Sequence, residues 1–346
     1  MTSSDSPSAK LLIVTHTEGS WGAEQRLLEF LPDLISSGIA CTLAAPGFGD
    51  FTKGFEAAGG RVEIVAMKAR TGLRNQDGSR PGPVTLLSEA WKVISGIWSL
   101  RRLARRHDFL QSHSRTAHLD VAILGRLVRR PVVLDLHDVI AAGVGRKLMT
   151  FSARLATVTV ANSSSTRSVL TGLDESKVVI VHPAVDLLRF DPARFDPARF
   201  DPAGLNSVRV EIGGRADRPL LAILGRVDPE KRIEVLLQAV TMSERRDIDV
   251  VVVGGTEAAD TTYLEGLKAV AGSIDSSSVC WAGSRSDIPA VLSSVDVVVS
   301  TCPVEAFGRS LLEGQAMGVP VIAPDIAGVR DIVREGETGW LFEPEN

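Results

Sequence analysis

What most constrains this chain is an alternation that runs its whole length. Short segments rich in Val, Ile and Leu recur at regular intervals, and amphipathic stretches of helical length separate them. The first half offers LLIVTH (11–16), ACTLAAP (40–46), VEIVAM (62–67), FLQSH (109–113), PVVLDLH (131–137), TVTVANS (157–163) and VVIVHP (178–183). The second half repeats the scheme with LLAILGR (220–226), IDVVVVGG (248–255), SVCWAG (278–283), VDVVVS (295–300), VPVIAP (319–324) and WLF (340–342). Between them lie helical candidates such as AEQRLLEFLPDLISSG and TAHLDVAILGRLV. This pattern predicts βα units and parallel sheets. Strands that are apolar almost throughout need helices on both sheet faces. A chain of 346 residues with 44% hydrophobic content can bury two such cores. The expected fold class is therefore α/β, with two doubly wound Rossmann-like parallel-sheet domains whose ligands collect at the carboxyl ends of strands.

The boundary between the domains has a marker. Residues 189–203 are three tandem copies of RFDPA, and a proline at every fifth position opposes both a helix interior and a central strand. We expect a first domain over 1–185, an extended linker over 186–205 and a second domain over 206–346. KARTGLRNQDGSRPGP (68–83), rich in Gly, Pro and Arg, is expected to form a loop at the strand ends of the first domain.

The formal net charge of −4 hides an asymmetry: residues 1–185 hold 22 Lys and Arg against 16 Asp and Glu, whereas 186–346 hold 16 against 26. Halves of opposite sign imply different partners. The polar start MTSSDSPSAK lacks the shape of a secretory signal, and no apolar run approaches the ~18 residues that span a bilayer. A cytoplasmic location is expected. The three cysteines, Cys41, Cys280 and Cys302, lie in or beside expected strands and suit reduced thiols. No Cys or His spacing has the form of a zinc site.

Chemistry concentrates at EAFGRSLLE (305–313). If the strand VDVVVS is followed by a helix beginning near Gly308, the backbone N–H groups of Gly308, Arg309 and Ser310 lie at the positive end of the helix dipole, a ready anion site. Glu313 then lies about one turn further in, roughly 6–8 Å along the axis at ~1.5 Å per residue. That is the reach from a diphosphate to the ribose of the same nucleotide, whose hydroxyls a carboxylate accepts. Glu305 lies on the other side of the phosphates, where an attached sugar must be. Arg226, at a strand's carboxyl end, and Lys231, at the start of the next helix, read as diphosphate-gripping cations, because a lysine suits a helix N-terminus only when an anion is near.

The spacing E-x7-E with FG two residues after the first glutamate, followed by LLEGQAMGVPVIAP, resembles the retaining glycosyltransferases of family 4, which have the GT-B fold with two domains facing a cleft. WGAEQRLLEFLPDLISSGI resembles that family's first glycine-containing loop and helix, LGRVDPEKRIEVLLQAV its phosphate-binding segment, and GVRDIVREGETGWLF its closing loop and strand. The resemblance covers nearly the whole chain, most specifically 220–342. It implies transfer of a sugar from a UDP-, GDP- or ADP-sugar to an acceptor hydroxyl by a metal-independent enzyme of the hexosyltransferase type, in a setting such as polysaccharide biosynthesis. No cofactor is expected beyond the donor substrate. By the same resemblance Arg226 and Lys231 grip the diphosphate, Glu313 binds the ribose, and Glu305 contacts the donor sugar. Phe307, Gly308, Arg309 and Ser310 form the phosphate and sugar loop, Gly22 lets backbone approach the phosphates, and His137 reaches the donor sugar. Arg285 is a candidate to border the nucleobase or an ordinary surface arginine, and His113 an acceptor-side candidate or a structural histidine. The acceptor is a glycan, a lipid-linked glycan or a small molecule.

Departures from the family pattern are visible at HPAVD (182–186), where relatives carry an asparagine-glycine turn, and at Trp21, which stands in the place of a glycine. Where FEPEN ends this chain, the family pattern continues with helices that cross back to the first domain, so looser closure about the RFDPA linker is expected.

SEAWKVISGIWSLRRLARRH (88–107) reads as a sheet-covering helix with arginines suited to its C-terminal dipole. Its alternative reading is contact with an anionic membrane surface through Trp91, Ile94, Ile97, Trp98 and Leu103. Three rival functions have less support in the sequence. AAPGFGD (44–50) lacks the third glycine and acidic partner of a dinucleotide site. DID (247–249) opens a buried-looking strand and does not read as the exposed acidic motif of a metal-dependent transferase. A non-catalytic sugar-nucleotide-binding scaffold of the same fold is the alternative from a different class.

Overall fold

The computed structural model describes residues 7–19, 22–68, 83–195, 208–243, 245, 247–256, 261–272, 274 and 279–344. The chain divides into two compact units, Met1–Pro183 and Ala184–Asn346. Trp21, residues 69–82 of the expected loop and the RFDPA copies beyond Phe195 lie outside the described residues.

The first unit runs β1 (Ala9–Val14), α1 (Gly22–Ser36), β2 (Ile39–Ala45), α2 (Asp50–Ala57), β3 (Arg61–Ile64), α3 (Pro83–Ala104), β4 (Phe109–Ser112), α4 (His118–Val128), β5 (Val132–Leu136), α5 (Val144–Leu155), β6 (Val158–Ala161), α6 (Ser164–Ser168) and β7 (Val178–Ile180). Its sheet order is β3-β2-β1-β4-β5-β6-β7, and every pairing is parallel. The order reverses between β1 and β4, the switch point at which open α/β sheets place their ligands.

In the second unit the order of elements is β8 (Leu220–Leu224), α7 (Ile233–Met242), β9 (Asp249–Val253), α8 (Thr262–Ala271), β10 (Val279–Gly283), α9 (Ile288–Ser293), β11 (Val297–Val299), α10 (Arg309–Ala316), β12 (Val321–Pro324), α11 (Ala327–Arg330) and β13 (Gly339–Phe342). The sheet order β10-β9-β8-β11-β12-β13 is again wholly parallel. Both sheets are covered on two sides, and two separate apolar clusters flank each: Leu12, Val14, Leu110 and Leu134 point one way from the first sheet, Leu11, Ile13 and Leu43 the other. The period of two along a strand, with helices on either face, is why these strands read as continuous apolar runs. All three cysteines are free thiols. Asp249, the last residue of DID, is fully buried and held by the Arg215 guanidinium, so that motif is structural.

Two expectations change. The first RFDPA copy is not an extended spacer: Phe190 is 1% exposed in the core of the second unit, and Pro192–Phe195 forms a 3₁₀ turn. Asp191 accepts a bond from the Ala193 N–H, and proline in the first turn needs no N–H partner, so Asp-Pro starts the turn that proline would break further in. The second change concerns α3. Its inner face is Val93, Ile97, Leu100 and Ala104, all buried, whereas Val84, Leu87, Trp91, Ile94 and Trp98 form a second apolar stripe that is exposed. The helix therefore covers the sheet with one face and presents apolar side chains to solvent with the other.

Candidate functional site

Each unit gathers polar side chains at the carboxyl ends of its central strands. In the second unit the Glu305–Ser310 loop follows β11 and leads into α10, whose N-cap is Gly308 at φ 92°. That left-handed conformation favours glycine. The loop is also held from behind: a Cβ on Gly328, in α11, would lie 2.7 Å from the Glu305 carbonyl oxygen and 2.6 Å from that of Ala306. The glycine of GVRDIV thus lets this helix pack directly on the loop's backbone. Phe307 turns inward and is 4% exposed, so its ring anchors the loop, and the first amides of α10 have no acceptor within the helix.

Glu305 meets Lys231, whose Nζ donates to Oε2 at 2.8 Å. Lys231 sits at the end of a 3₁₀ turn, Pro229–Lys231, capped by Asp228 and separated from α7 by Arg232 in the left-handed region. It was expected in the first turn of the helix itself; proline and the Asp228 cap make a short turn first. Burial alone lowers the ammonium's pKa, but Glu305 and Cys302 outweigh it and hold Lys231 above its ordinary value. Glu313 lies one turn into α10 and accepts from Arg309 Nε at 2.9 Å. Arg226 lies near Asp228 and Glu230, at 3.2 and 3.7 Å, and is 39% exposed. Arg285 is clamped by Asp287 and Glu211, with 2.6 Å contacts to each, and both carboxylates raise its pKa. Its guanidinium ties the segment before β8 to that after β10.

The first unit supplies the second group. Gly22 is the first residue of α1, and nothing lies within 4 Å of a Cβ built on it. His137 follows β5 directly, with its side chain 12% exposed. Residues 135 and 137 share one side of the strand by the period of two, and Asp135 proves to be the centre of a buried cluster. It accepts from Arg26 Nη2 through both oxygens at 2.7 and 2.8 Å, from Gln111 at 3.3 Å and from His113 Nδ1 at 3.2 Å. Burial pushes Asp135 up, yet His137, His113 and Arg26 together hold it well below the usual carboxylate range. His137 is lowered to about 3, by burial first and with Asp135 opposing. His113 is fully buried between Phe51 and His137, with ring centroids 5.9 and 4.8 Å away; this is a structural environment. Ligand atoms of His113, Asp135 and His137 lie within 4.8 Å of one another, close enough for a divalent ion. Arg26 Nη2 lies 2.7 Å from Asp135 Oδ1 beside them.

Arg26, Asp135 and Gln111 were not singled out from sequence. Their signal is a charge inside a strand, the aspartate of VVLDL, and a cation in α1 beside the buried Leu27, since Lys, Arg and Asp are rarely buried without a partner.

Residues 22–189 match the family described as Glycosyltransferase Family 4, and residues 207–346 the one described as Glycosyl transferases group 1. D-inositol 3-phosphate glycosyltransferases are among the relatives. That of Nocardia farcinica is 28% identical over 214 residues, covering 60% of this chain and 45% of the relative. That of Streptomyces scabiei is 32% identical over 179 residues, covering 49% and 38%. The chain spans less than half the length of these curated relatives. Among solved structures, Anabaena Alr3699/HepE in complex with UDP-glucose aligns with TM-score 0.78 at 20% identity over 97% of this chain and 86% of that one. A glycosyltransferase from Rickettsia africae aligns with TM-score 0.76 at 22% identity over 98% and 85%. At such identity the solved structures speak for the fold, while the two family matches cover nearly all of both units. The chain belongs to the group 1 glycosyltransferases of family 4, with the GT-B fold.

Proposed function

We propose that this chain transfers a sugar from a nucleotide-diphosphate sugar to an acceptor hydroxyl with retention of anomeric configuration. The observation that carries the reading is the Lys231–Glu305 pair, 2.8 Å apart, beside the start of α10 with Glu313 one turn on. A diphosphate arriving there replaces Glu305 as the partner of Lys231, and the released carboxylate is free to accept hydroxyls of the donor sugar. Arg226 exchanges Asp228 and Glu230 for phosphate oxygens in the same way. Glu313 accepts the ribose hydroxyls.

As the bond from the anomeric carbon to the β-phosphate oxygen breaks, the electron pair stays on that oxygen. Lys231, Arg226 and the amides at the start of α10 stabilise the charge, a preorganised electrostatic contribution that requires no divalent ion. The acceptor hydroxyl attacks from the face the diphosphate leaves, and its proton passes to the departing phosphate oxygen. HepE, whose structure was determined with UDP-glucose, supports a UDP-sugar as the first donor to try.

The exposed stripe of α3 supports a place at the inner face of an anionic membrane. Arg101 lies over the Trp98 ring at 5.4 Å, Arg102, Arg105 and Arg106 are exposed, and Glu89, the acid of this helix, is buried and paired with Lys92. An apolar stripe ending in arginines suits an interfacial helix on anionic lipid. Among the described residues no helix is long and apolar enough to cross a membrane.

The test is a thermal-shift panel of UDP-, GDP- and ADP-sugars, since a ligand that binds the folded state alone raises its melting temperature, followed by donor-hydrolysis and transfer assays. Stabilisation with turnover supports the enzyme. Binding without hydrolysis or transfer identifies a scaffold, and no stabilisation by any of the three overturns the donor site. For the membrane contact, sedimentation with vesicles of anionic lipid is expected to fall when Arg101, Arg102, Arg105 and Arg106 are neutralised; salt-insensitive or absent binding ends that part of the proposal.

A further inference from the structure

At the amino ends of β5 and β6, away from His137, Pro131, Val132 and Thr157 border a groove of about 520 Å³, a volume in the range of small-ligand sites. The helices α4 and α5 both end there, at Val128 and Leu155. Arg126, Arg129, Arg130 and Lys177 line the groove, with no carboxylate among the lining residues. Helix C-termini attract cations, and two of the four serve them. Arg126 Nε donates to the Leu155 carbonyl at 2.8 Å, and Lys177 Nζ to those of Arg154 and Ala156 at 3.0 and 3.4 Å. These successive carbonyls draw the two charges together over the end of α5. Arg130 Nη2 reaches the other way, to the Arg105 carbonyl at 3.3 Å.

Capping does not account for Arg129. Its side chain is exposed and has no hydrogen-bond or ion-pair partner among the described residues. Its backbone, the C-cap of α4, stands at φ 56° and ψ 47°, a left-handed conformation for which glycine is the usual residue. An arginine held there against that preference points to a use for its side chain. The acids beside Lys177 in the chain are engaged: Asp174 accepts from Ser176 Oγ at 2.8 Å, and Glu175 pairs with Arg167 at 3.3 Å. Among the described residues none of the four cations has a carboxylate within ion-pair reach, whereas Arg26, Arg209, Arg215 and Arg285 each have one. Like charges gathered in one groove repel each other until an anion enters.

We propose that this groove is a second anion site, in which Arg126, Arg129, Arg130 and Lys177 bind a small, multiply charged phosphate ligand. Guanidinium forks match phosphate oxygens in pairs, and the ammonium adds a compact charge. The groove lies wholly within the first unit and shares no residue with the sites described above, so it neither needs the donor reading nor fails with it. A free polyphosphate and the phosphomonoester head group of a lipid offer the same chemistry. Arg105, whose carbonyl receives Arg130, directly follows α3.

The probes are inorganic tripolyphosphate, titrated calorimetrically, and vesicles of phosphatidylcholine with phosphatidic acid. Both are applied to the full chain carrying Lys231→Ala, so that the lysine of the second unit cannot answer for the groove. Arg129→Gly, added to that chain, is the informative variant, because glycine suits this backbone and both helix caps stay in place. It is expected to raise the melting temperature while weakening the bound probe by about tenfold, the scale of one charge-assisted contact. In the wild-type chain the bound probe should shield Lys177 from acetylation and leave the exposed Lys53 reactive. Tripolyphosphate binding with these effects supports the site with a soluble ligand. Vesicle binding that Arg129→Gly weakens, without tripolyphosphate binding, supports it with a lipid head group. Neither probe binding, or Arg129→Gly leaving both affinities unchanged, overturns the site. If sugar nucleotides fail to stabilise a chain whose groove still binds tripolyphosphate, the donor reading fails and this site stands.

Discussion

The two polar clusters solve the same problem, holding charge at strand ends with no ligand present, in opposite ways. In the first unit Asp135 is 5% exposed as a side chain and is held by Arg26, Gln111 and His113, groups that stay with it. In the second, Lys231 is 27% exposed and Glu313 15%, and they pair with Glu305 and Arg309, contacts that a substrate can replace. A buried cluster holds its members in place; a set of partly exposed pairs exchanges partners. The difference teaches which charges are for geometry and which for binding.

The largest expected effect falls on the exchangeable side. Lys231→Ala should lower kcat by ~10²–10³-fold, the scale of losing one preorganised charge partner in a transition state, as measured by product release from the donor. An enzyme that keeps its rate would mean that the leaving diphosphate does not rest there. On the buried side the expected loss is in stability. Asp135→Asn strips the buried Arg26 of its counter-charge, and breaking a buried pair costs about 3–5 kcal/mol, read from the urea midpoint; a cost under ~1 kcal/mol would place this cluster with the exchangeable pairs.

A third difference shows on acidification. His118 and His137 are each lowered to about 3, by burial first and with Asp135 opposing, against about 6.5 in an unfolded chain. Their folded values are depressed, so the stability they contribute is present above about pH 6.5 and is lost as pH falls toward 3. The unfolded state binds one more proton per histidine in that window, a slope of about 1.4 kcal/mol per pH unit each. His137→Gln should remove one proton from the slope, while the second unit, which has no histidine, contributes none of it. Smallest is the stability cost of Glu313→Gln. Its partial exposure limits the Arg309 pair to about 0.2–1 kcal/mol, while the donor KM should rise several-fold.

Much of the fold could be read from sequence because its signal is local and repeated. Val/Ile/Leu runs a few residues long, each followed by a helix, suffice for a parallel sheet, and thirteen described strands fall on the runs named above. The loop into α10 was equally legible, since glycine before a polar helix start announces itself. Arg26 was not, because a single cation in LLEFL-type helix text looks like surface until the tertiary structure shows what it faces. The first RFDPA copy misled for a related reason: proline's local veto is strong, but Phe190 finds its place only against residues such as Leu292 and Val295, a hundred positions on.

By itself, then, the sequence determined what repeats or is contiguous: the βα alternation, the two sheets, and the ordered E-FGRS-E motif within residues 305–313. Tertiary structure decided what depends on residues far apart in the chain. It chose which face of α3 is buried, paired Lys231 with Glu305 across 74 positions, and brought Arg26 to His137 across 111. Backbone periodicity is written in neighbouring residues, whereas the partner of a buried charge is settled only when the sheet order brings distant strand ends together.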